Sequence, residues 1–395
     1  MLFNSTVFVF LFLPIAVAGF ALLAARAGTQ AVVAWLTAAS LFFYAWWDAA
    51  YLWILVASIA INFTLGQMIG NPNSARSSRK ALMLGGVAFN LVLLGYYKYA
   101  GFLTANLSDL FGQDWTVPDI VLPLGISFFT FQQVAYLVDR YQQRAAPHGF
   151  LSYCLFVSFF PQLIAGPIVH HKEIFTQLTG KHPFRLRVNN VSVGLTLFAI
   201  GLFKKVVIAD TLSRYASPVF FAADQGAPLA FAEAWIGCLA YTFQLYFDFS
   251  AYSDMAVGLA RLFGLRLPIN FFSPYKATSI IEFWRRWHIT LSRFLRDYVY
   301  IPLGGNAHGA TRKLANILAT MVLGGLWHGA GWNFVLWGGI HGCLIVANHL
   351  WRASGIKASH GPAYRLSCGV LTFVCVAIAW VPFRAETMDG AFAML

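Results

Sequence analysis

Apolar runs of about 15–24 residues recur along most of the chain, separated by short breaks that hold the polar and basic residues. About twenty apolar residues cross the hydrocarbon core of a bilayer as one helix. The pattern predicts membrane helices at about 6–26, 30–47, 50–70, 81–104, 150–165, 190–209, 229–247, 250–264, 311–326, 332–350 and 366–383. Runs shorter than a full crossing are expected to be re-entrant or shielded by other helices. The first run, Val7 to Ala25, follows a segment with no basic side chain, so it reads as a retained helix rather than a signal peptide.

Several segments break this regularity. Residues 105–119, with Asp109, Asp114, Pro118 and Asp119, read as a loop. The stretch from Pro123 to Gln133 mixes aromatic rings with hydroxyls and amides. Residues 170–188 hold His170, His171, Lys172, Glu173, Lys181, His182, Arg185 and Arg187, and residues 270–306 hold the densest basic and aromatic cluster. Lys204-Lys205 interrupts an apolar run and is expected to mark an unwound or interfacial point. With no linker, low-complexity tract or clear internal repeat, one all-α polytopic membrane domain over 1–395 is the simplest organisation.

Composition agrees with a membrane body. The chain is 59% hydrophobic and 11% charged, against about 25% charged in an ordinary soluble domain. The net charge of +12 points away from nucleic acid, because the basic residues fall in the breaks, where they suit the positive-inside rule and anionic lipid. Arg26 and the loop Arg76-Ser77-Ser78-Arg79-Lys80 are then expected on the cytoplasmic side, with Asp48 opposite. The five cysteines stand singly in apolar runs, without zinc spacing.

Three histidines carry candidate chemistry. His328 lies in Gly324-Gly325-Leu326-Trp327-His328-Gly329, where glycines permit close approach of backbone or substrate. A neutral imidazole in a water-poor site can take a proton from an attacking hydroxyl. The alternative is a core histidine bonded to a backbone carbonyl. His288 lies in Trp284-Arg285-Arg286-Trp287-His288, and a continuous helix there sets Arg286, Arg293 and Asp297 near one side. That stretch is either an interfacial helix with snorkelling arginines or a cradle for a phosphate-bearing donor. His341, beside Gly342, either supports His328 or caps a carbonyl.

Asp248 and Asp254, in an aromatic setting from Tyr246 to Asp254, are expected to be paired with Arg285, Arg286 or Arg261, and can also orient a histidine. No metal site is expected. Adjacent histidines such as His170-His171 rarely reach one ion together, and no further ligand has convincing spacing. They, with His148, His182, His308 and His360, read as residues of polar surface breaks.

These residues resemble the membrane-bound O-acyltransferase family, most of all its bacterial alginate O-acetyltransferase branch. The resemblance rests on Phe3 to Pro14, Pro123 to Phe131, Ile164 to Val169, Tyr246 to Asp254, Phe283 to Ser292, Pro302 to Gly305 and Gly325 to Gly329, in that order. It implies a bundle of tilted helices around a central tunnel, His328 as the essential histidine and His288 as the second active-site position. It implies acyl movement from a cytoplasmic thioester, acetyl-CoA or similar, to an extracytoplasmic hydroxyl. A periplasmic esterase-like partner and the bacterial inner membrane are further implications. Relatives continue with further membrane helices, so the domain is expected to lack some at its C-terminal end.

The expected activity is therefore acetyl transfer toward an exported, alginate-like polysaccharide. Arg285, Arg286 and Arg293 would bind the donor, while Asp248, Asp254, His341 and Trp327 would support the histidines. Transfer of D-alanine or another acyl group to teichoic acid or peptidoglycan is the second reading. A transporter with a histidine proton path is the third, and the inverted repeats that would favour it are not seen.

Overall fold

Among the described residues, six helices are long and apolar enough to cross a membrane: Phe8–Arg26, Ala49–Ile69, Arg76–Phe111, Val188–Asp224, Trp332–Ala353 and Pro362–Arg384. Thr29–Ala45 is equally apolar but shorter. The computed structural model describes residues 1–113, 115–116, 120–178, 184–355 and 361–395. Asp114, Pro118, Asp119, Lys181, His182 and His360 lie outside the described residues. Among the described residues there are helices and no strands.

Several expected boundaries move, each for a local reason. The runs at 229–247 and 250–264 form one helix, Phe231–Leu262. Neither Gly nor Pro lies between Tyr246 and Asp254, and the charge of Asp248 is met by Lys205 at 2.9 Å, so no break is required. Lys205 also reaches Asp210 at 2.9 Å. The expected unwinding at Lys204-Lys205 is instead a π turn, Lys204–Ala209, within a continuing helix. The expected loop from residue 105 begins only at Gly112, whose left-handed backbone (φ +61°) stops the helix.

The chain forms two compact units, Met1–Leu202 with Tyr252–Pro268, and Phe203–Ala251 with Ile269–Leu395. The first has an aromatic core in which Phe12 meets Phe160 edge-on at 5.2 Å and Phe160 meets Phe263 at 5.8 Å. Its polar helix, Ile126–Tyr141, starts after Gly125 and turns Gln132, Gln133, Asp139 and Arg140 inward. Gln133 donates to Ser58 Oγ at 2.9 Å and accepts from the Tyr153 hydroxyl at 3.3 Å. Arg140 donates to the carbonyls of Gly66 and Ala145 at 2.9 and 2.7 Å. A Cβ at Gly70 would meet the Arg140 guanidinium, which would have to move from its carbonyl partners.

The second unit is organised by the hairpin of helices Gly309–His328 and Trp332–Ala353. A Cβ at Gly325 would strike the Phe334 carbonyl, and one at Gly338 would strike the Met321 carbonyl. Small residues at these crossings let the two backbones meet, which is how helices gain packing energy in lipid. The hairpin turns immediately after His328.

Candidate active site

His328 is the last residue of its helix, half-buried at the hairpin turn. Aromatic rings wall it in. Trp327, Trp337 and Phe383 lie 4.9, 5.0 and 5.2 Å from it between ring centroids, and His288 lies 6.4 Å away. Two imidazoles joined by a direct N–H···N bond stand closer than that, so the two rings are neighbours without bonding each other. Trp327 touches both sides of the pair, with centroids 4.9 Å from His328 and 6.2 Å from His288.

His288 is fully buried and adopts a left-handed backbone (φ 42°). A residue with a Cβ visits that region at some cost, which is characteristic of functional positions. The expected continuous helix is therefore broken: helix Ile280–Trp284 ends, His288 reverses the chain, and helix Ile289–Leu295 begins. Arg286, Arg293 and Asp297 do not share one helix face, and Asp297 pairs with its neighbour Arg296 at 2.7 Å.

Asn270 fixes the His288 ring. Its Oδ1 accepts from the Thr290 backbone N–H at 3.2 Å and from the Thr290 hydroxyl at 2.9 Å. A backbone N–H can only donate, so the atom facing it must be the amide oxygen. His288 Nδ1 lies 3.1 Å from that same oxygen and must donate to it. In the neutral ring the proton thus sits on Nδ1 and the lone pair on Nε2, a tautomer assigned from the hydrogen-bond network. Burial pushes the His288 pKa down to about 3, so the ring is neutral. Nε2 is buried without a hydrogen-bond partner among the described residues. Phe249 meets the ring edge-on at 4.8 Å.

His341 is also fully buried, lying parallel to Phe283 at 6.1 Å and edge-on to Trp337 at 4.9 Å. Among the described residues neither of its ring nitrogens has a hydrogen-bond partner, so it caps no carbonyl there. Trp337 contacts both His328 and His341. Sequence reasoning missed it, although its four-residue spacing from His341 places both on one helix face. Asn270 was missed too; the visible signal was a lone amide in the apolar run Ile269-Asn270-Phe271-Phe272.

A cavity of about 590 Å³ opens beside this histidine region, and Arg285, Arg293, Arg296, Lys313, Ser292 and Tyr300 contribute to its wall. The histidines His288 and His328 do not line it, whereas Ile289 does. Arg286 departs from the expected cradle. It donates to Glu282 at 2.7 Å and lies over the Phe272 ring. Against a burial that raises its pKa, hydrogen bonds from Thr278 and Arg286 hold the Glu282 carboxyl below its ordinary range. Arg286 thus completes a local ion pair rather than facing the cavity.

The acidic residues are also redistributed. Asp248 pairs with Lys205 and not with an arginine, and it is partly exposed rather than turned to a histidine. Asp254 is partly buried and belongs to the first unit. His171, expected in a polar surface break, is buried at the start of helix His171–Leu178. Asp139, distant in sequence, lies 3.2 Å from it and 3.3 Å from His170.

The sequence profile of the membrane-bound O-acyltransferase family matches residues 140–370. A peptidoglycan O-acetyltransferase of Helicobacter pylori is 43% identical over 100% of this chain and 79% of its own length. A probable alginate O-acetylase of Pseudomonas aeruginosa is 40% identical over 100% of this chain and 74% of its own length. A teichoic acid D-alanyltransferase of Streptococcus thermophilus is 30% identical over 67% of this chain and 69% of its own length. The chain belongs to the membrane-bound O-acyltransferase family and is a multi-pass, all-α membrane enzyme that transfers acyl groups to oxygen.

Proposed function

We propose that this enzyme moves acetyl groups from a thioester donor, acetyl-CoA or similar, toward an exported polysaccharide, with His328 and His288 as its reacting pair. The carrying observation is the pair itself: two imidazoles 6.4 Å apart, one with a buried Nε2 lone pair. An alginate-like polymer or peptidoglycan is the acceptor class that the full-length similarity to O-acetyltransferases supports. D-Alanyl transfer has the weaker support, from a relative matched over 67% of the chain.

His328 takes the proton of the acceptor hydroxyl as its oxygen attacks the thioester carbonyl. The tetrahedral oxyanion then collapses, the C–S bond breaks, and the proton passes to the leaving thiolate. His288 stays neutral, and its Nε2 accepts a hydrogen bond from the acceptor group and so aligns it. With its only ring proton committed to Asn270 through Nδ1, His288 aligns the reacting group and does not donate to an oxyanion. Trp327, Trp337 and Phe383 exclude water, which strengthens each polar interaction inside. The acyl donor reaches the basic cavity from the cytoplasmic side, where Arg285, Arg293, Arg296 and Lys313 meet its phosphates. The protein resides in the bacterial inner membrane with the loop Arg76–Lys80 cytoplasmic, and a periplasmic esterase-like partner completes delivery to the polymer.

The test is transfer of labelled acetyl from acetyl-CoA by the purified protein. A general base contributes about 10²–10⁴-fold, so His328→Ala should lose that much rate while its melting temperature in detergent is kept. A folded His328→Ala protein with the wild-type rate would remove the assignment.

A further inference from the structure

We propose that Asp139, His170 and His171 form a binding site for a divalent transition-metal ion of the zinc class, remote in chemistry from the acyl-transfer residues. Asp139 Oδ2 lies 3.3 Å from His170 Nε2 and 3.2 Å from His171 Nδ1, and one ligand atom from each residue fits within 4.8 Å of the others. Zinc binds imidazole nitrogen and carboxylate oxygen at about 2.0–2.2 Å, so neighbouring ligands of a tetrahedral site stand about 3.3–3.5 Å apart. The two short separations match that edge.

Local structure explains how adjacent histidines reach one point. The chain turns into helix His171–Leu178 at this step, and the two ring centroids stand 4.8 Å apart at 44°. Glu173 Oε2 accepts from the His170 backbone N–H at 2.9 Å and holds the turn. Asp139 comes from the last turn of the polar helix Ile126–Tyr141.

Burial favours an ion over a plain hydrogen-bonded cluster. Asp139 and His171 side chains are each 2% exposed. Among the described residues neither ring nitrogen of His171 meets a hydrogen-bond partner in strict bonding geometry, although Nδ1 is near the carboxylate and the Arg144 backbone approaches the ring. That leaves the contact between Nδ1 and the carboxylate, at the separation of two ligands on one ion, without a hydrogen bond to account for it. Tyr136 and Phe175 flank the His171 ring, each at 6.4 Å between centroids, and keep that side dry. His170 is 25% exposed, which gives an ion a way in and leaves a position for water. Three protein ligands and one open position describe the site. Its effect is to clamp the short helix His171–Leu178 to the polar helix.

The test uses tag-free protein in detergent, stripped with EDTA, then titrated with Zn²⁺ against a chromophoric chelator and separately with Co²⁺. Wild type should take about one Zn²⁺ per chain, show the visible bands of tetrahedral Co²⁺, and melt at a higher temperature with zinc than without. Changes outside the ligand set alone weaken metal sites by about 10–100-fold, so Asp139→Asn and His171→Gln should each lose at least that much affinity. His170→Gln, at the partly exposed ligand, serves where the buried changes prevent folding, and His308→Gln should bind as wild type does. Folded wild type that takes no ion in competition with the chelator would overturn the site, as would equal binding by the folded His170→Gln protein. Neither outcome bears on His328 or the acetyl-transfer reading.

Discussion

In the first unit Asn62 and Asn90, both fully buried, exchange hydrogen bonds of 3.2 and 2.6 Å. Each also donates to a carbonyl one turn earlier in its own helix, Ser58 at 2.9 Å and Gly86 at 2.7 Å. In the second unit His288 and His341 are buried as deeply, yet Nε2 of the one and both ring nitrogens of the other lack a hydrogen-bond partner. An unsatisfied buried polar atom costs roughly 1–3 kcal/mol. The asparagine pair meets that demand internally and behaves as glue between membrane helices. The His288 lone pair has no such internal partner among the described residues, which is the observation the proposed role of His288 rests on.

The sharpest way to break this contrast is a cycle of His288 and Asn270. His288→Phe keeps an aromatic ring against Phe249 and removes the open acceptor. The acetyl-transfer rate should fall by about 10²-fold or more while the melting temperature is held or raised. Asn270→Ala frees the ring to place its proton on Nε2, so the rate should fall at least about tenfold. In the double variant the two losses should not add, because both act through one lone pair. Full activity in folded His288→Phe would place His288 in the same class as the asparagines.

The reverse test falls on the glue. Asn62→Leu strands one side of Asn90 and should cost about 1–3 kcal/mol in stability. The double variant Asn62→Leu with Asn90→Leu should regain most of it, since an apolar pair needs no partner in lipid. Activity per folded molecule should not change in either. A selective loss of rate in the double variant, with stability intact, would erase the distinction between the asparagine pair and the histidines.

The apolar helices were legible because their signal is one-dimensional: Phe8–Arg26, Trp332–Ala353 and Pro362–Arg384 follow directly from run length. The polar helix Ile126–Tyr141 was not, since its buried Gln133 is satisfied by Ser58, 75 residues away along the chain. For the candidate site, sequence named His288 and His328, and the structure brings them together. Asn270 stayed hidden because its effect depends on facing the Thr290 N–H. Asp139 stayed hidden because it reaches His170 and His171 through folding rather than through spacing.

Arg286 and Arg293 carry the smallest and most discriminating difference. On a continuous helix they are seven residues apart and equivalent, and the left-handed backbone at His288 separates them. Arg293 lines the basic cavity, whereas Arg286 is engaged by Glu282 at 2.7 Å. Loss of one charge-assisted contact to a phosphate is worth about 1.5–3 kcal/mol in a dry site, and less where water screens it. Arg293→Gln should therefore raise the donor KM about tenfold with little change in kcat. The rise should shrink as salt increases, because the attraction is screened over about 10 Å at 0.1 M. Arg286→Gln should leave the donor KM unchanged and instead lower the melting temperature slightly, a partly exposed pair being worth on the order of the 0.2–1 kcal/mol of surface pairs. Equal KM effects at the two positions would mean that both arginines act on the donor through general charge, and the cavity would lose its claim to the donor phosphates. A KM rise confined to Arg293→Gln links the cavity wall to the donor by chemistry that the spacing of the arginines alone does not distinguish.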